Sequence, residues 1–197
     1  MFKLPRLLPR LLPALLLAFC LPAHANWHLD GESSRLSFIT GKNGNTAEVH
    51  RFLVLHGTVD RKGVAGLSIE MDSVSSGIPL RDERMREDLF EVERFAEAKV
   101  QAQLDLRPIN DLANGAQIEL RLPLTVTLHG QSHSYNALLL ATRLDERRFQ
   151  VVTLEPLVLR AEDFGLLPGL QRLRKLAGLK SINPSVPVSA VLIFTAR

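Results

Sequence analysis

Ala116-Gln117-Ile118-Glu119-Leu120-Arg121-Leu122-Pro123-Leu124-Thr125-Val126-Thr127-Leu128 is the stretch that decides the fold. Ile118, Leu120, Leu122, Leu124, Val126 and Leu128 recur at every second position, while Gln117, Glu119, Arg121, Thr125 and Thr127 fill the alternate ones. A period of two over this length is a strand with one dry face and one wet face. Upstream, Val100, Ala102, Leu104 and Leu106 alternate with Gln101, Gln103, Asp105 and Arg107. Shorter copies surround Leu67-Ile69-Met71, Leu36-Phe38 and Phe149-Val151, and an apolar run from Val186 to Thr195 closes the chain. One-sided strands belong to antiparallel sheets, whereas parallel sheets need strands that are apolar throughout.

Turn signals fall between these runs at Arg61-Lys62-Gly63, Asn110 to Gly115, His129-Gly130 and Asp145-Glu146-Arg147. About eight strands result, with two helical interruptions. The first spans Arg81 to Val92, with Met85 and Leu89 four apart on one face. The second starts near Pro168 and runs to about Leu179, setting Leu170, Leu173, Leu176 and Ala177 against Arg172, Arg174 and Lys175. With so few helices, the apolar strand faces must hide from one another, and closing the sheet also removes its edges. The expected fold is all-β: an eight-stranded antiparallel β-barrel with two short helices. At eight strands the interior either fills with side chains or holds one small ligand, and periodicity leaves both outcomes open.

The chain has 197 residues, 46% hydrophobic and 23% charged, with a formal net charge of +3 and one cysteine. That length suits one well-buried domain. Both the charge and the cysteine trace to the N-terminus. Lys3, Arg6 and Arg10 precede the apolar run Leu11 to Leu21, which ends in Pro22-Ala23-His24-Ala25. This is the pattern of a secretory signal peptide over residues 1–25, with cleavage expected after Ala25, export to the periplasm, and a domain over 26–197. Pro13 and the shortness of the run argue against a membrane-spanning anchor. Cys20 raises lipoprotein processing, but Phe19 stands where such a site wants a small residue. Cleavage would leave 21 basic and 21 acidic residues and no cysteine, so thiol chemistry is excluded from the mature chain.

Read in order, five phrases resemble the YceI-like family of exported, lipocalin-like, polyisoprenoid-binding barrels. They are Trp27-His28-Leu29-Asp30 with Ser33 to Phe38; Phe52 to Asp60; Ser76 to Phe90; Leu124 to Gly130; and Glu162-Asp163-Phe164-Gly165. Gly31, Ser33, Arg84 and Glu162 depart from the family's usual residues, and the stretch from Pro168 to Pro187 is longer than expected. The resemblance implies a divergent member.

Candidate chemistry is sparse. Four residues along a strand cover about 13 Å, too far for His129 and His133 to share a metal unless the turn at Gly130 brings them together. No metal or cofactor is expected, and the histidines read as surface or strand-end residues. There is no G-x-S-x-G, and Ser132 merely adjoins His133 on the opposite strand face. The carboxylates of the Arg81-Asp82-Glu83-Arg84-Arg86-Glu87-Asp88 cluster read as an ion-pair network pinning the helix, so no catalytic residue is assigned. A neutral mature chain with one Trp and one Tyr does not suit nucleic acid. Arg172, Arg174 and Lys175 are candidates for peripheral contact with anionic lipid. Monomer and homodimer remain open.

The barrel interior is left. Burying about ten methylene equivalents at roughly 0.8 kcal/mol each gives about 8 kcal/mol before association costs, so a greasy channel suffices for an isoprenoid chain. The expected ligand is an apolar amphiphile, an isoprenoid-tailed quinone or polyprenyl lipid. Phe38, Leu104, Ile118, Leu120, Leu122 and Leu139 are assigned to the lining from the apolar strand faces; Phe52 and Phe164 are added from the family phrases. The alternative is an envelope stress or interaction protein whose filled barrel is a scaffold for its two surface helices.

Overall fold

The computed structural model describes residues 26–196. The expected signal peptide, with Cys20, lies outside the described residues. The chain forms one antiparallel sheet of twelve segments: β1 (Trp27–Leu29), β2 (Arg35–Lys42), β3 (Thr46–Phe52), β4 (Leu55–Val59), β5 (Val64–Glu70), β6 (Val74–Ser75), β7 (Glu97–Gln103), β8 (Gln117–Leu128), β9 (Gln131–Asp145), β10 (Arg148–Thr153), β11 (Leu157–Arg160) and β12 (Ser185–Ala196). The path β1-β4-β5-β7-β8-β9-β10-β12 closes on itself through the pairing of β12 with β1. It is an eight-stranded closed antiparallel barrel.

The other four segments are continuations. β2 follows β1 along β12, β3 precedes β4, β6 follows β5, and β11 follows β10. Four of the eight long strands are thus broken near their middles. At the end where β2, β3, β6 and β11 lie, no pairing joins β6 to β7 or β9 to β11 among the described residues.

β8 and β9 form the longest hairpin. His129 and Gly130 both have positive φ, at 50° and 75°, between Leu128 and Gln131, which pair with each other. That is the two-residue turn whose twist matches the flanking strands. Pro123 sits just beyond Leu124, the last β8 residue paired with β7, so its missing N–H leaves no gap in that ladder. Where β7 leaves β8, the short helix α2 (Arg107–Asn110) turns in and buries Ile109. Four residues are too few to carry a period, and Asn110 to Gly115 read as a turn.

Two helical segments cover the other end. α1 (Pro79–Arg84) begins at a proline and passes directly into a π-helical segment, Met85–Phe90. The expected helix from Arg81 to Val92 therefore begins and ends two residues earlier. An i→i+5 repeat brings Phe90 round to the face of Met85, and Met85, Leu89 and Phe90 are all buried. Glu91, at φ 48°, ends the segment. α3 (Leu167–Leu176) is shorter than expected because Gly178 turns left-handed just past its end.

α3 packs on the π-helical segment at Gly169, where a Cβ would lie 2.7 Å from the Asp88 carbonyl oxygen and 2.9 Å from Leu89 Cα. Both neighbours are backbone and cannot step aside alone. Gly169→Ala is expected to cost about 1–3 kcal/mol as overpacking, read as a lowered midpoint in urea denaturation. An unchanged midpoint would mean that the two helices slide apart freely.

The charged cluster pins the helices by reaching outward. Arg81 Nη1 donates to Glu48 Oε2 on β3 at 2.5 Å, and Arg86 pairs with Asp72 at 3.3 Å. Asp82 is buried and accepts the Ser76 N–H at 2.7 Å. Arg172 donates to the Asp88 carbonyl at 2.6 Å and lies 3.6 Å from both Asp88 and Glu91 carboxylates.

Candidate functional site

The barrel is hollow. A cavity of about 470 Å³ occupies the end covered by α1 and α3, and a second of about 200 Å³ occupies the end closed by α2. Leu36, Val100, Leu157 and Val188 contribute to the walls of both. The larger one is within the usual size range of small-molecule sites. β8 runs the length of the two: Leu120, Leu122 and Leu124 face the second cavity, and Val126 and Leu128 the first.

Of the residues assigned from sequence, Phe38, Phe52 and Phe164 line the larger cavity, and Leu104, Leu120, Leu122 and Leu139 the smaller. Ile118 shares their strand face but lies beyond both linings, toward the start of β8. Phe164 is fully buried, with its ring 5.4 Å from His133 edge-on and 6.4 Å from Tyr135 in a stacked arrangement. It fills the seam between β9 and β11. Tyr135 donates to Asp163 at 3.2 Å, and burial, reinforced by that carboxylate, raises its phenol above the ordinary range.

In the wall formed by β2 and β3, Phe38 and Phe52 were assigned from sequence and the polar residues were not. Their inward side chains are Lys42, Thr40, Phe38 and Leu36 on one strand and Glu48, His50 and Phe52 on the other. Register pairs Thr40 with Glu48, Phe38 with His50, and Leu36 with Phe52. The wall therefore grades from charge, through neutral polar groups, to aromatic and aliphatic surface. At its charged end, Glu48 accepts from Lys42 at 2.8 Å and Arg81 at 2.5 Å, and Lys42 and then Arg81 hold its carboxyl below the usual range. The second cavity carries hydroxyls from Thr153 and Ser189 and no charge among its described lining residues.

His50 corrects the reading of the histidines as surface groups. It is 3% exposed, and its Nε2 lies 2.8 Å from Thr40 Oγ1. The alternation of Glu48, His50 and Phe52 was the available signal, obscured because Val49 interrupts it with an apolar residue on the outer face. His56 does sit at the surface, paired with Glu70 at 2.9 Å. His129 is engaged elsewhere, its ring 4.3 Å from that of Phe95 and its Nδ1 3.2 Å from the Phe164 carbonyl.

Several large apolar side chains are exposed around the polar rim. Ile78 is 49% and Leu80 55% exposed although both also line the larger cavity; Leu176 of α3 is similarly open. Of the three basic residues assigned to lipid contact, Arg172 is occupied with Asp88 and Glu91, Arg174 is half-buried and donates to the Lys180 carbonyl at 3.4 Å, and Lys175 is exposed.

A closed antiparallel barrel around a long apolar cavity with a polar rim is the architecture of a binding protein for apolar molecules. Residues 27–194 match the YceI-like domain family, and the chain belongs to that family. Among solved structures it is similar to a polyisoprenoid binding domain from Saccharophagus degradans implicated in plant cell wall breakdown. That pair is 36% identical with a TM-score of 0.85, over 87% of this chain and 98% of that one. BcnA of Burkholderia cenocepacia is 14% identical with a TM-score of 0.61, over 84% of this chain and 98% of that one. The YCEI protein of Campylobacter jejuni is 12% identical with a TM-score of 0.51, over 75% of this chain and 84% of that one. These last two share the fold. None of the curated proteins compared with the chain matches it.

Proposed function

We propose that this protein is a periplasmic carrier that holds an apolar amphiphile, an isoprenoid-tailed quinone or polyprenyl lipid, inside its barrel, without catalysing a reaction on it. The observation that carries this reading is the pair of adjoining apolar cavities, the larger of which has Lys42, Glu48 and Arg81 at one end of its wall. Such a shape takes a long hydrocarbon with a polar head. The similarity to the Saccharophagus degradans domain supports the same ligand class. A scaffold with a filled interior fits poorly with about 470 Å³ of open space.

The rim is also suited to transfer. Ile78, Leu80 and Leu176 present exposed apolar surface, and α3 adds the exposed Lys175, a combination that favours an anionic bilayer surface. Ligand would then pass between bilayer and cavity with little exposure to water.

Native mass spectrometry with solvent extraction, on protein purified without detergent, tests the ligand. A co-purifying isoprenoid is the expected result. Protein that is reproducibly empty and refuses both quinone and polyprenol in titration would overturn the reading. Uptake of quinone from vesicles should be faster when they contain phosphatidylglycerol, and equal rates from neutral vesicles would remove the membrane step.

A further inference from the structure

His50 is the innermost polar side chain on the inward faces of β2 and β3. Below it along this wall come Leu36 and Phe52, and its ring is 5.3 Å from that of Phe38. Nε2 is satisfied by Thr40, whereas Nδ1 is buried and has no hydrogen-bond partner. A buried polar atom without a partner is costly and calls for an explanation. It belongs to a residue of the cavity wall, at the step from polar to apolar surface, and in this conformation the atom is covered, so a ligand reaches it only when its neighbours shift.

We propose that His50, oriented by Thr40, is the polar anchor of the cavity, and that the entering ligand shifts the packing that covers Nδ1 and places an uncharged oxygen, a carbonyl or hydroxyl, against it. The hydrocarbon then continues past Phe52 toward the second cavity, and the rest of the head faces the rim. This rests on the isoprenoid-carrier reading and narrows it to a class of headgroup.

The imidazole is suited to a neutral oxygen. Burial is the main cause that keeps it from protonating, and the Arg81 and Lys42 charges act in the same direction, opposed by Glu48 and Asp82. Neutral imidazole carries one donor and one acceptor. With Thr40 able to give or take a hydrogen bond at Nε2, Nδ1 can donate to a carbonyl or accept from a hydroxyl. A phosphate would be drawn instead to the cations at the rim, one to two strand positions nearer solvent, where Lys42 and Arg81 already share Glu48.

The test compares three probes by titration at pH 7.5: an isoprenoid-tailed benzoquinone, a polyprenyl monophosphate of matched tail, and squalene, which has no oxygen. Wild type should bind all three. His50→Phe should weaken the quinone about three- to tenfold, the worth of one neutral hydrogen bond, and leave phosphate and squalene within twofold. Thr40→Val, nearly isosteric, should weaken the quinone in the same direction, and His50→Gln should recover some of the loss. Thermal melts run alongside identify any variant that fails to fold, in which case Thr40→Val alone carries the comparison. Equal effects on quinone and squalene, or none on the quinone, would overturn the anchor while leaving the carrier intact. Wild-type protein that binds no probe would overturn the carrier and the anchor together.

Discussion

Val100→Phe should split the barrel's ligands by tail length. Val100 stands on β7 opposite Leu67 and Val126, and it is one of the residues that wall both cavities. A phenyl ring there reaches into the passage between the 470 Å³ and 200 Å³ spaces, leaving the rim and the anchor wall untouched. A long tail would lose the inner space. If about four methylene equivalents are expelled at roughly 0.8 kcal/mol each, affinity falls by about 3 kcal/mol, or more than a hundredfold. A short-tailed analogue that ends in the larger cavity should bind within about threefold of wild type. Titrating both ligands against both proteins gives the answer. An undiminished long-tail affinity would mean that the second cavity stays empty, and equal losses would mean that the barrel itself had changed.

Phe164→Ala is the substitution with the largest expected effect on stability. Phe164 is fully buried and packs on His133 and Tyr135 across the seam where β9 and β11 do not pair. Its ring thus holds together what hydrogen bonds hold elsewhere in the wall. Truncation should cost about 3–5 kcal/mol, equivalent to a melting temperature lower by about 6–20 °C for a domain of this size. Trp27, the single tryptophan, packs edge-on against Phe149 at 4.9 Å near the opposite end and reports on unfolding by fluorescence. A loss below about 1 kcal/mol would show that the neighbouring residues collapse into the space.

Strand identity and the dry face were legible because they depend on one local rule, the period of two. β8 obeys it for its full length, and five of its inward residues face the cavities. What escaped was set by tertiary contact. α2 has too few residues for any period, and the π-helical turn depends on three apolar side chains, Met85, Leu89 and Phe90, meeting one core. Ile118 is chemically indistinguishable from Leu120, but it lies past the end of the hollow region. The polar part of the anchor wall was missed for a different reason: Glu48, His50 and Thr40 are polar, and polar residues on a strand are ordinarily read as its wet face. Only the register of β2 against β3 shows that they point inward.

The broken strands give the two ends of the barrel unequal stiffness. One end belongs to a ring closed by backbone hydrogen bonds, whose rupture would leave donors and acceptors unpaired. At the other end aromatic packing at Phe164 spans the seam between β9 and β11, and the covering helices are held by the contact at Gly169 and by ion pairs such as Arg81–Glu48 and Arg172–Asp88. These contacts can open singly, and the ion pairs are each worth only about 1 kcal/mol where water reaches them. The end covered by α1 and α3 can therefore widen while the far end keeps its diameter.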